Sequence, residues 1–236
     1  MIKMMKKANS KSAFYSSEEK ALAAYPKELF IEIIKEVGFE CDLCGKCCTR
    51  AFNGHIYLLE DDADRIIEID PEAVIPFPYF DFCDQDGRFY VSGYSLKTKE
   101  DENGSCCFLE NGRCQIYEKR PHICRIYPYM VHREIDERGS YDWREISGLN
   151  EHGLYGAEIA AEEAGEIFKD VKKYEAGCIF QEKEFLKAVS AHFEKNKLKH
   201  IPKIHDKRVR DFTNGEEITA FVYHGGAFQE HKTKKS

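Results

Sequence analysis

No stretch of this 236-residue chain comes near the roughly 20 consecutive apolar residues that cross a bilayer, which excludes a membrane-spanning helix. The first ten residues, Met1 to Ser10, carry charge but no apolar run of signal-peptide length, so export is not expected and a cytoplasmic location is. Positive charge is in deficit: 35 Lys and Arg stand against 42 Asp and Glu, a net charge of -7, which argues against nucleic acid as the main partner. A glycine-rich dinucleotide loop and a phosphate-binding loop are both absent. So are internal repeats and low-complexity tracts.

What the chain has in excess is sulfur. Of 10 cysteines, four lie in the run Cys41-Asp-Leu-Cys44-Gly-Lys-Cys47-Cys48. Cys106, Cys107 and Cys114 form a second block, and Cys124 follows Arg120-Pro121. A cytoplasmic chain of this length keeps its thiols reduced, so such spacing points to metal ligation rather than to disulfides. Cys83 and Cys178 stand alone and read as small buried hydrophobes.

Two inorganic readings are open. Cys41, Cys44 and Cys47 match the Cys-x2-Cys-x2-Cys spacing that wraps a cubane iron–sulfur cluster. A remote residue, Cys124 or next Cys114, would be the fourth ligand. Cys41-x2-Cys44 is also an acceptable zinc half-site, completed by Cys114 or Cys124. Thiolate suits both, and the triple spacing favours iron–sulfur, a 4Fe-4S cluster. Neighbouring residues point apart, so Cys47 and Cys48, or Cys106 and Cys107, are not expected to share one metal ion. Arg120 and Arg125 bracket Cys124 and are expected to play a buried polar role, whereas Lys46 and Arg113 read as surface cations. A thioredoxin-type pair needs a strand before Cys41, where the sequence predicts a helix.

Leu29, Phe30, Ile33, Ile34 and Val37 form a helical stripe after Pro26, stopped by Gly38. Residues 1–16 read as a loose arm, with a helix starting at Ser17. Glu60, Asp61, Asp62 and Asp64 suit a helix start. Strands are predicted over 88–92 and 94–97, and Asn111-Gly112 predicts a turn that brings Cys106 or Cys107 close to Cys114. Residues 151–174 and the stripe Phe185, Leu186, Val189, Phe193 predict two amphipathic helices. A strand is predicted over 217–223, with a polar tail beyond it. The predicted fold is α+β: an irregular, metal-organised domain of short strands and flanking helices over 17–140, with a helical extension over 141–236 packed on it. His122 reads as exposed or structural, His192, His200 and His205 as surface, and His55 as a group beside the first block. Tyr117, Tyr127 and Tyr129 are expected to pack over the metal and exclude water.

The pattern Cys41-x2-Cys44-Gly45-x-Cys47-Cys48, Cys106-x-Phe108-Leu109, Cys114-x-Ile116-Tyr117-x2-Arg120-Pro121-x2-Cys124-Arg125-x2-Pro128 resembles the YkgJ-type cysteine-cluster family. This family is regarded as zinc- or iron-chelating and is known for its Cys-x2-Cys-x2-Cys-Cys motif. The resemblance covers about residues 38–130. It implies Cys41, Cys44, Cys47, Cys48, Cys106, Cys114 and Cys124 as chelating residues, with Arg120, Pro121 and Arg125 as further motif positions. Cys107 stands where the pattern varies. Some relatives are associated with lysine N-methylation of flagellin, so three functions follow as expectations. They are an iron–sulfur protein in electron transfer or in a redox or protein-modifying reaction, a structural zinc module that binds a protein partner, and a protein-lysine N-methylase-like enzyme.

Overall fold

The computed structural model describes residues 2–130, 134–135, 141–142 and 151–235. The elements run α1 (Ile2–Ala23), α2 (Lys27–Val37), α3 (Arg50–Asn53), α4 (Glu60–Ile69), β1 (Val74–Pro76), β2 (Phe82–Cys83), β3 (Phe89–Val91), β4 (Tyr94–Leu96), β5 (Leu109–Glu110), β6 (Arg113–Cys114) and α5 (His122–Ile126). They continue with β7 (Glu134–Ile135), β8 (Tyr141–Asp142), α6 (Ala161–Lys195), α7 (Pro202–Thr213), β9 (Ile218–His224) and β10 (Ala227–Thr233). The class is α+β with a long C-terminal helix, and among the described residues no helix is long and apolar enough to cross a membrane.

The apolar stripe of α2 is buried against α6. Phe30 and Ile34 are fully covered and pack with Tyr25, Ala164, Phe168, Val171 and Tyr174. Burying each such large side chain is worth about 1.5–3 kcal/mol. Gly38 ends α2 in the left-handed region at φ 52, its N–H donating to Ile34 O at 2.9 Å. An added Cβ there would land on the backbone of Ala157, so only glycine lets the two segments touch.

A four-stranded sheet has the order β10-β9-β3-β2. Strand β9 lies parallel to β3, with Phe89 opposite Ala220 and Val91 opposite Val222, while the other two pairings are antiparallel. Residues near the C-terminus therefore complete a sheet begun before residue 92. The alternation in β9 buries Ile218, Ala220, Val222 and His224.

Three expectations change. The arm over 1–16 is part of a 22-residue helix, and its Lys- and Ser-rich sequence is helical because α1 packs along α6. The two predicted C-terminal helices are one, α6, of 35 residues, and 151–160 is instead an extended strap. The polar tail is strand β10, paired along its whole length with β9 and held by that ladder although none of its residues is fully buried.

Candidate metal centre

The first cysteine block is curled by two left-handed residues, Leu43 (φ 61) and Gly45 (φ 74). Asp42 Oδ1 accepts the Cys44 N–H at 3.1 Å, and a short 3-10 turn over Lys46–Cys48 follows. The Leu109 side chain packs where Gly45 has no Cβ, at 3.2 Å from the position such an atom would take. The blocks, far apart in sequence, meet through the backbone. Cys106 N–H donates to Cys48 O at 2.7 Å, Thr49 bridges Ser105, and Arg50 N–H donates to Gly104 O at 2.9 Å. Strands β5 and β6 form a hairpin whose turn residues Asn111 (φ 49) and Gly112 (φ 74) are both left-handed, as a tight primed turn requires. It sets Leu109 opposite Cys114.

The result is one cavity of about 670 Å³. Cys41, Cys44, Cys47, Cys48, Cys106, Cys114 and Cys124 all line it, whereas Cys107 does not. Cys41 and Cys44 are exposed at the mouth, and the others are half-buried. Cys83 is fully buried among Phe89, Ile218 and Ala220, and Cys178 packs at the edge of the α2–α6 core. All ten cysteines are free thiols.

The thiols are electrically coupled. Burial pushes Cys124 up to about 12, and the neighbouring Cys48 and Cys114 sulfurs and Asp62 push the same way. Cys47 shares a hydrogen bond with Cys48 and is driven up by it, while Cys48 is held down by that same bond and then by Arg120. Cys106 and Cys107 divide in the same way. Each adjacent pair thus gives up one proton more readily than two. A metal that needs several thiolates here must displace protons, and its affinity rises with pH.

Helix α5 carries Cys124, and its N-cap position is Pro121, which offers no side-chain acceptor. Asp62 of α4 supplies one from outside. Its carboxylate, 0% exposed, accepts the His122 backbone N–H at 3.0 and 3.2 Å and His122 Nδ1 at 2.9 Å. Lys173 of α6 donates to His122 Nε2 at 3.4 Å, which fixes the tautomer with its proton on Nδ1. The Asp62 carboxylate also meets Arg65. His122 is thus a buried structural histidine. The capping explanation for the acidic run understates Asp62, because nothing in its spacing announces a partner 60 residues away.

The strap closes one side. Glu40 and Leu154 exchange both backbone hydrogen bonds, at 2.8 and 2.9 Å, and Gly156 and Ala157 donate to Val37 and Gly38. It places His152 in the cavity wall, stacked on Tyr127 and bonded to the Tyr127 hydroxyl at 2.7 Å. From α6, Glu163, Ile167 and Tyr174 complete that wall. The sequence gives no sign of these residues as site residues, since none carries a ligand motif. Tyr117, Tyr127 and Tyr129 also line the cavity, as does His55. Arg120 is half-buried there, but Arg125 is exposed, unlike the buried role expected of it. Lys46 and Arg113 are exposed. His192, His200 and His205 are half-buried rather than on the surface, with His200 Nδ1 3.1 Å from Cys83 O and His205 Nε2 2.7 Å from Phe80 O.

Among the described residues, no three cysteine sulfurs lie within 4.8 Å of one another. Asp61, Asp62 and His122 do, but Asp62 is already saturated by donors and Lys173 stands at the far ring nitrogen.

Residues 40–145 match the CxxCxxCC family model, described as "Putative zinc- or iron-chelating domain". The match covers less than half of the chain and contains all seven cavity cysteines; it supports metal chelation by this segment. An uncharacterized protein of Methanocaldococcus jannaschii is 30% identical over 100 residues, which span 40% of this chain and 47% of that protein. The chain thus covers just under half the length of that relative. No solved structure matches.

Proposed function

We propose that the cavity holds a sulfur-ligated iron centre, a 4Fe-4S cluster with Cys41, Cys44, Cys47 and Cys124 as its ligands. The protein would act in electron transfer, or as partner in a redox or protein-modifying reaction. The observation that carries this reading is that cysteines from two distant blocks line one cavity, in a family described as zinc- or iron-chelating.

The donor set fits. It is all soft sulfur, and Arg120 lowers Cys48 as a cation beside thiolates does. The Cys-x2-Cys-x2-Cys spacing of Cys41, Cys44 and Cys47 supports the cluster over a single zinc. A zinc site built on Cys41-x2-Cys44 with Cys114 or Cys124 is the second reading, favoured by the same family description.

When bound, such a cluster supplies one-electron chemistry. The chain's own residues shape access to it. Tyr127, His152 and Tyr174 wall off water, while exposed Cys41 and Cys44 put one side of the centre near the surface, where a protein partner can approach. Anaerobic purification followed by analysis for iron, zinc and acid-labile sulfide tests the reading. Iron and sulfide in equal amounts support the cluster. Stoichiometric zinc without sulfide supports the second reading. Neither metal overturns both.

A further inference from the structure

Three buried polar atoms in the cavity wall have no hydrogen-bond partner among the described residues, His55 Nδ1, Arg120 Nε and Thr98 Oγ1, and the last two belong to side chains on either side of the second cysteine block. Buried donors without an acceptor are rare in folded proteins. Neither belongs to a loose side chain. The Arg120 guanidinium lies over the Tyr117 ring, 3.8 Å from its centroid, and the Arg120 N–H donates to Tyr117 O at 3.4 Å. Thr98 is 8% exposed and bridges Cys106 through the backbone, while Cys107 N–H donates to Lys97 O at 3.1 Å.

Both donors therefore stand among the sulfur-bearing segments. The charge of Arg120 acts on Cys48, Cys114 and Cys124, which come from three separate stretches. Sulfur is the acceptor that this environment supplies.

We propose that Arg120 and Thr98 are the sulfur-directed donors of the bound centre: Arg120 Nε–H and Thr98 Oγ1–H donate to its cysteinyl or inorganic sulfur, and Arg120 sets its net charge. This role rests on the reading of the cavity as a metal centre. Four thiolates around a cubane core of charge 2+ leave an excess of negative charge, and Arg120 is a half-buried cation in the cavity wall placed to offset it. Hydrogen bonds to sulfur and local charge tune both affinity and reduction potential.

The test compares the full chain, purified anaerobically, with Arg120→Gln, Arg120→Lys and Thr98→Val. The readouts are iron retention against a chromophoric chelator, the reduction potential, and melting with and without metal. Arg120→Gln should weaken metal retention by about 10- to 100-fold and lower the potential. Arg120→Lys, which keeps the charge but loses the planar fork, should recover part of both. Thr98→Val should shift both in the same direction with no change of charge. None should lower the melting of metal-free protein as much as that of the loaded protein. Wild-type retention and potential in all three variants overturn this role while leaving the centre intact. So does equal destabilisation with and without metal, which marks a structural role. A wild-type chain that binds neither iron nor zinc overturns the centre and this role together.

Discussion

Replacing Asp62 with Ala removes the acceptor that holds helix α5 and the Cys124 it carries. The substitution strands two buried donors, the backbone N–H of His122 and its Nδ1–H. A buried donor left unpaired costs about 1–3 kcal/mol. Arg65, 29% exposed, turns to water and adds little. Part of the loss is returned, because the folded protein no longer has to desolvate a carboxylate. The net expectation is about 3 kcal/mol, or roughly 6–12 °C in melting temperature for a chain of this size. Asp62→Asn keeps one acceptor oxygen and should cost about half as much. Denaturant melts give the energies, and iron or zinc content of the same samples reports whether Cys124 stays in place. A loss below about 1 kcal/mol with metal content intact would refute the clamp, and with it the claim that α5 depends on a cap supplied from α4.

Cys44→Ser should reduce metal content while Cys107→Ser leaves it unchanged, because Cys44 lines the cavity as a ligand of the proposed centre and Cys107 does not line it; equal losses in elemental analysis would contradict this. Gly38→Ala forces a left-handed alanine against the Ala157 backbone and should cost about 2–4 kcal/mol by denaturant melts, with the strap over 151–160 losing hydrogen-exchange protection. Burial raises the Glu182 carboxyl above its ordinary value, against a hydrogen bond from Ser92. Below that ordinary value the folded and unfolded chains are both protonated. Between it and the raised folded value only the unfolded chain has released its proton, so stability falls as pH rises through that window and is level above it. Glu182→Gln removes this slope and should gain on wild type as pH rises from the ordinary carboxylate value towards the raised folded one. A difference that does not move with pH would show that the carboxyl is not held protonated.

The parts of this fold that were legible in the sequence are those with a local cause. The stripe of α2 and its glycine stop, the acidic start of α4 and the Asn111-Gly112 turn each follow from spacing and backbone preference. What escaped has a distant cause. Helix α1 lacks a strong apolar stripe and is ordered by packing on α6. Strand β10 is mostly polar and is held by its ladder with β9. The same division holds at the site. The cysteines announce themselves by spacing, but Asp62, His152 and Tyr174 become site residues only when four separate elements converge, and no short motif records that.

The parallel pairing of β3 with β9 has a consequence for biogenesis. Until residues 218–224 have been synthesised, β3 presents an open edge beside the nascent cysteine segment. A fragment limited to 40–145 would carry every cavity thiol yet expose the edge of β3 to its neighbours.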